Sequence, residues 1–530
     1  MARTKIAVFS GPRATIANSP TLVTGNKGRL PGERALPGRY EHLVPQELHE
    51  PVVVRIRRYS GHPLEADSAA VYQQDGQDYY EVELRPEDGP YPLPYVARRA
   101  HGSEQGQPFE EADLFDPALN YGGRQFFYPD ASRMFAEIDR AIPGRDESGE
   151  GSILDRKADY DFIRVLPPGG YTVKGEQSGV DFFPYRPLAV RKSPRYRDLA
   201  RATNAVQAAM RGGEYAGGIW LEGSPTVEET LYWLSLLIDT NLAIAGCAAQ
   251  RPHGQLANDG DRNIVDAVDL IVSGLGNGIG AVGVQDERIY AAREFKKADD
   301  RPGNYKATGG HGGILGTVGP PVTIWYKPAY RHTALSEVNL SRLPDTVEFP
   351  EYADGGTTVR VAVKDDAGAL LETAIPRAHI VKYGAYMDED ETGNPDNEVD
   401  IMARIAKGLA DQGSGEPQSP RLHGFVLEGS SPYGLASMSQ HRALEIATFS
   451  GMPVARVGRA DPGGRVPSGW DDLTIAGSNL DTNKARLLLM ASMLKLGRLP
   501  KARDPRNPTK AERAATVAAV ARFQDIFESH

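Results

Sequence analysis

Cysteine is nearly absent: Cys247 is the only one in 530 residues. That excludes an intrachain disulfide and any cysteine-cluster metal site. Its run, Leu242–Ala248, is apolar and reads as a buried strand. The thiol is therefore expected to be an inert core group rather than a nucleophile. Long hydrophobic runs are lacking as well. None reaches the ~18 residues that a membrane span needs, and the opening MARTKIAVFSG passes straight into a strand without an apolar leader. A cytoplasmic protein is the expectation. Positive charge is in deficit, with 60 Lys and Arg against 70 Asp and Glu for a net charge of −10. No basic stripe stands out, so nucleic acid and anionic membrane are not expected partners. No HExxH or comparable ligand spacing occurs, and no metal is expected. A Gly-x-Ser-x-Gly elbow is also missing, although Gly309-Gly310-His311-Gly312-Gly313 superficially mimics a lipase oxyanion loop.

What is present is an ordinary globular balance of 40% hydrophobic and 25% charged residues. The chain is too long for one core, so two or three domains are expected. Gly218–Val268 is the most informative stretch. It reads as strand, turn, helix, strand, loop, helix, with small and hydroxyl residues at the strand ends. This order predicts a parallel sheet, and ligands bind outside the carboxyl ends of such strands. Gly217–Leu221 is the first strand, Gly223-Ser224-Pro225-Thr226 the turn, and Val227-Glu228-Glu229-Thr230 opens the helix. Thr226 with Glu229 matches a capping box. The Ser224 hydroxyl is then expected at a positive helix N-terminus.

Elsewhere, Lys5–Ser10 reads as a first strand and Asn18–Leu36 as a mobile loop rich in Gly, Pro, Ser and Thr. Residues 50–170 read as an inserted subdomain with strand-like pieces at 52–56 and 79–84. A helix is predicted over Tyr196–Arg211. Gly274–Gly280 is glycine-rich but follows a helix and precedes a strand, the wrong order for a nucleotide fingerprint, so it reads as a turn. A second domain is expected from about 346 to 530, with an inserted hairpin at about 355–377 turning at Asp365-Asp366-Ala367-Gly368. The acidic run Met387–Asn397 reads as a solvated loop. Strands are predicted at Gly424–Gly429 and Met452–Arg456, and an amphipathic helix at Ala511–Ile526.

Several spaced segments in one register resemble the type-I/II asparaginase (asparaginase–glutaminase) family. They are Gly11–Ala17 after the first strand, Glu222–Thr230, Ala249-Gln250-Arg251-Pro252, Ala257–Asn263 and Ile289–Lys297. Tyr305-Lys306-Ala307-Thr308, Tyr330-Arg331-His332-Thr333 and Ala476–Leu489 extend the match. It covers roughly three quarters of the chain, with two insertions. The resemblance implies an α/β fold: a larger N-terminal flavodoxin-like domain with a parallel sheet over 1–345, and a smaller C-terminal α/β domain. It also implies a homodimer or homotetramer acting on a small-molecule amide without a cofactor. Its catalytic residues fall on Thr15, Ser224 and Lys297 (with Lys296 one place off), and on Tyr40 for the loop tyrosine. Substrate contacts fall on Ser193, Gly223, Pro225 and Gln250.

The chemistry agrees with that set. Amide hydrolysis needs a nucleophile, a base and donors for the oxyanion. A hydroxyl is a poor nucleophile unless a neighbour removes its proton, and a desolvated lysine is able to do so. Four departures from the family pattern bear on substrate. Arg13-Ala14 stands where two glycines precede the first threonine. Pro225 stands where an aspartate grips the substrate α-amino group. Tyr40 is the first tyrosine available for the loop. Ser430-Ser431-Pro432-Tyr433 replaces the asparagine that crosses the dimer. The expectation is an amidohydrolase acting through a Thr15 acyl-enzyme on a small amide, lactam or cyclic imide rather than plain asparagine. Two other readings stay open: a non-catalytic binding or scaffold protein on the same fold, and a true asparaginase or glutaminase with a rearranged site.

Overall fold

In the computed structural model, the described residues are seven short strands before residue 165 and most of the chain from 196 onward. The strands are 4–10, 22–23, 43–46, 52–57, 79–84, 91–94 and 160–164. From 196 the description omits 214, 225, 251–258, 302, 320, 352–356, 385–392, 414–422 and 461–465. The protein is α/β. Its largest sheet has eight strands, running from Thr323–Ile324 through Ile314–Thr317, Arg288–Ala291, Ala281–Gln285, Ala243–Cys247, Gly217–Leu221 and Thr4–Ser10 to Tyr160–Arg164. The five from Ala281–Gln285 onward in that order pair in parallel; the other three continue the sheet antiparallel.

Alternation along these strands sends neighbouring side chains to opposite faces, and both faces are covered. Ile6, Val8, Ile219, Leu221 and Ala245 pack with Ile264, Ala267 and Ile271 of the Gly260–Val272 helix. Ala7, Phe9, Trp220 and Ile244 pack instead with Val206, Leu231 and Leu234. Those last three belong to the helices Tyr196–Arg211 and Thr226–Leu237. Each fully buried aliphatic side chain contributes on the order of 1.5–3 kcal/mol, so the core holds both faces against the sheet. Cys247 is fully buried, its Sγ donates to Asn263 O at 3.3 Å, and burial pushes the thiol well above its ordinary value.

The second sheet holds four parallel strands in the order Arg377–Lys382, His423–Gly429, Val454–Gly458 and Ile475–Ala476. Helices Val399–Gly413 and Met438–Phe449 pack on one face through Ile401, Ile405, Ala443 and Leu444. Helices Thr482–Leu496 and Lys510–Ser529 pack on the other. This last core cluster also takes in Trp233, Leu236 and Leu237, so the Thr226–Leu237 helix is shared between the two sheets.

Some elements lie elsewhere than expected. Within 50–170, Val52–Arg57 pairs with Tyr79–Leu84 on one side and with Leu22–Val23 on the other in a small antiparallel sheet. Tyr160–Arg164, by contrast, is an edge strand of the main sheet. The hairpin near 355 pairs Thr346–Glu351 with Thr357–Ala362. The Asp365–Gly368 turn closes only a single bridge between Lys364 and Leu370, with Gly368 at φ 81°. The Thr226–Glu229 capping box does not form. Val227 N already bonds Gly223 O at 3.0 Å, which starts helical bonding before Thr226. The Glu229 carboxylate pairs with Arg486 at 2.9 Å instead. Gly274–Gly280 is a turn between helix and strand. Among the described residues no helix is long and apolar enough to cross a membrane, and no group of three or more His, Cys, Asp or Glu is placed to hold a metal ion.

Candidate active site

Adjacent parallel strands deliver Ser224 and Gln250 to one edge of the main sheet. Leu221 and Cys247 are register partners, so the two chains leave the sheet side by side. The first carries Gly223 and Ser224 into the Thr226–Leu237 helix; the second carries Gln250. Gly223 is buried, and its carbonyl begins that helix. Gln250 N donates to both carboxylate oxygens of Asp259, at 3.0 and 3.2 Å. Asp259 stands at the N-cap of the Gly260–Val272 helix but makes no side-chain cap. Its charge faces the end of the neighbouring strand instead. Gln250 Oε1 is buried without a hydrogen-bond partner among the described residues.

One side chain ties these ends together. Asn263 Nδ2 donates to Ala248 O at 2.9 Å and to Gln285 Oε1 at 2.6 Å. Asn263 Oδ1 accepts from Asp286 N at 3.2 Å. Gln285 Nε2 also donates to Ala248 O, at 3.2 Å. Two strand ends are therefore locked to the helix that follows one of them. Buried amide groups in a satisfied network of this kind fix geometry more than they add stability.

Lys297 arrives on a short antiparallel hairpin, Phe295–Lys297 against Tyr305–Ala307. Its backbone N donates to Glu228 Oε2 at 2.6 Å. Glu228 lies in the first turn of the helix that follows Ser224, so one carboxyl group sets the lysine strand against the serine turn. Burial pushes the Glu228 carboxyl up to about 7; Lys484 and the Lys297 N–H oppose that shift. The two neighbouring lysines make different contacts. Lys296 reaches Asp481 at 3.7 Å. The Lys297 ammonium lies 5.2 Å from the Tyr305 ring centroid and donates to the carbonyls of Arg301 and Gly303. Burial lowers the Lys297 pKa, and the nearby Asp299, Asp286 and Asp259 oppose that shift.

Tyr305 joins these parts. Its ring stacks on Phe295 with centroids 4.7 Å apart. Burial raises its phenol well above the ordinary range, and the neighbouring Ser224 hydroxyl lowers it. The phenol oxygen has no hydrogen-bond partner of acceptable geometry among the described residues. Behind the hairpin, the fully buried Lys484 ammonium donates to Arg293 O at 2.9 Å and to Phe295 O at 2.5 Å.

The structure thus brings Ser224, Gly223 and Lys297 around Glu228 and Tyr305, with Gln250 on the adjacent strand end. Thr15, Tyr40, Ser193 and Pro225 lie outside the described residues. Sequence reasoning did not single out Glu228, Tyr305 or Asn263, although all three stand inside segments that carried the resemblance. The signal for Glu228 was available: two glutamates follow a strand-to-helix turn, and only one of them is able to face solvent.

Residues 193–304 match the asparaginase N-terminal family model, a segment that holds Ser224, Glu228, Gln250, Asn263 and Lys297. Over that segment the chain is similar to the asparaginase family. Among related asparaginase-family proteins, the glutaminase-asparaginase of Acinetobacter glutaminasificans is 26% identical over 148 residues, 28% of this chain and 44% of that one. L-asparaginase 2 of Bacillus subtilis (strain 168) is 22% identical over 370 residues, 64% of this chain and 84% of that one. The alignments span about half the length of several of these relatives. The crystal structure of the probable cytoplasmic L-asparaginase from Campylobacter jejuni aligns with a TM-score of 0.48 and 19% identity, covering 76% of this chain and 92% of that one.

Proposed function

We propose that this asparaginase-like chain is an amidohydrolase that cleaves a C–N amide bond at the carboxyl edge of its main sheet. The observation that carries the reading is the convergence of Ser224, Tyr305 and the Lys297 strand on Glu228, beside Gln250. The named relatives, asparaginases and glutaminase-asparaginases, support the same reaction class.

In the proposed reaction the Thr15 hydroxyl oxygen attacks the amide carbon and its proton leaves towards the Ser224–Lys297 pair. The oxyanion is held by backbone N–H donors at the strand ends. Collapse breaks the C–N bond, and the amine departs with the proton returned to its nitrogen. Water then adds to the Thr15 ester and releases the acid. Burial that lowers the Lys297 pKa favours the neutral amine this proton relay requires. With Pro225 in place of a carboxylate, the substrate is a small amide, lactam or cyclic imide rather than plain asparagine. The working unit is a homodimer or homotetramer, and the chain divides near residue 345.

The test is a panel of asparagine, glutamine, small lactams and cyclic imides with the wild type and Thr15→Ala. The expected result is turnover of at least one substrate, reduced by two or more orders of magnitude in the variant. Full activity in Thr15→Ala removes the nucleophile assignment. Absence of turnover across the panel, with the chain folded, favours a binding role for the fold.

A further inference from the structure

A cavity of about 440 Å³ opens beside the Lys297 hairpin, between that hairpin and the carboxyl edge of the four-stranded parallel sheet. Lys296, Lys297 and Lys306 line it from the hairpin; Lys382 and Arg459 line it from the sheet. Its carboxylates are Glu428 and Asp481. Five cationic and two anionic side chains therefore line it, within a chain whose net charge is −10.

Both carboxylates are already engaged. Glu428 pairs with Lys382 at 3.3 Å and accepts from the Thr482 hydroxyl at 2.5 Å. Asp481 caps the Thr482–Leu496 helix by accepting from Lys484 N at 2.9 Å, and it faces Lys296 at 3.7 Å. Across the hairpin, Lys296 and Lys306 are direct register partners. Like charges placed opposite each other on paired strands are destabilising. Two lysines held in that register beside a third, facing Lys382 and Arg459, form a site whose repulsion an anion relieves. The setting suits one: the carboxyl edge of parallel strands, with Thr482 and Asn483 of a helix start in the wall.

We infer that this cavity binds a small multiply charged anion, a phosphate-bearing or polycarboxylate group, between the hairpin and the second sheet. Its volume suits a small molecule rather than a macromolecular chain. The inference shares Lys297 with the amidase reading but needs no turnover, so the two are tested separately. Occupancy would neutralise the lysines on the strand that also carries Lys297, so an anion bound there is placed to influence the candidate active site.

The test is calorimetric titration of the full chain with inorganic phosphate, pyrophosphate and citrate, with ionic strength held constant by sodium chloride. One saturable site is expected for at least one of the three. Phosphate and pyrophosphate against citrate distinguish the two sources of charge. The Lys382→Gln/Arg459→Gln double variant changes two exposed side chains, so the fold should survive, as circular dichroism would verify. Its affinity is expected to fall at least tenfold, with Lys306→Gln weakening binding independently. No saturable binding in the wild type, or equal affinity in the double variant, overturns the proposal. Because binding is read without an amide present, anion binding without turnover rejects only the amidase reading. Turnover without anion binding rejects only this one.

Discussion

Glu228 concentrates several constraints in one carboxyl group. It is buried, it accepts the Lys297 N–H, and its pKa is pushed up to about 7. In the unfolded chain a glutamate ionises near 4.3. The native state therefore holds its proton over a range where the unfolded state has lost it. The stability this contributes is fully present below about 4.3 and is lost as pH rises through about 7. Glu228→Gln keeps an acceptor for Lys297 N without the ionisation. It is expected to be more stable than the wild type at pH 8 by up to about 3 kcal/mol, the difference vanishing below about pH 4. Thermal melts of both proteins across that range check this; a pH-independent difference would point to packing instead. His530 runs the other way. Burial pulls its imidazole down to about 4, and its Nε2 accepts from Glu337 N at 2.9 Å. The unfolded chain takes up a proton near 6.5 that the native state refuses, so stability falls as pH drops from about 6.5 towards 4. Against His530→Gln, the wild type is expected to lose about 2 kcal/mol between pH 7.5 and 5, measurable by urea denaturation at each pH.

Gly283 shows how an element places the site. A Cβ there would lie 2.8 Å from three atoms of the Phe295 ring. Phe295 begins the lysine strand and stacks on Tyr305, so the central strand and the hairpin meet through a glycine. Gly283→Ala is expected to cost about 1–3 kcal/mol through overpacking. Displacement of Phe295 should also lower turnover by more than the folded fraction explains; a loss of Tm with unchanged kcat would show that the ring yields without moving the hairpin. Such close approaches are hard to read in a sequence. The Tyr196–Arg211 helix, the strands around Gly217 and Ala243, and the buried Cys247 were legible because period and composition agreed over whole segments. The capping of the Thr226–Leu237 helix was not, because Gly223 supplies a backbone carbonyl and no side-chain signature. Nor was the place of Tyr160–Arg164, since a strand's pairing partner is set by non-local packing. The roles of Glu228 and Tyr305 depend on contacts across 69 residues or on burial, which no local pattern reports.

At the scale of the molecule, the two sheets are joined by polar contacts inside an apolar seam. The helices Thr226–Leu237 and Thr482–Leu496 share a core cluster, and Arg486 meets Glu229 at its margin. Within the seam Lys484 is 1% exposed and carries the charge that offsets Glu228, Glu294 and Asp481. Removing one partner of a buried charged set costs about 3–5 kcal/mol. Lys484→Met, which keeps the bulk and loses the ammonium, is expected to fall in that range and to raise the Glu228 pKa further. Chemical denaturation gives the first quantity, and the shift in the pH dependence of stability gives the second. A variant as stable as the wild type would mean that water replaces the ammonium at both carbonyls.

The bond from Lys484 to Phe295 spans 189 residues, and it reaches the same strand that Glu228 holds at Lys297 N. The lysine strand is thus held at two points along one edge, by the start of one helix and the start of another. The residues matched by the family model contain only the first of these grips. A fragment cut before the second sheet would keep the residues of the candidate site in order along the chain while leaving the strand that carries Lys297 without its bond to Lys484. On this architecture the strand that carries Lys297 owes one of its two side-chain anchors to a helix of the C-terminal half.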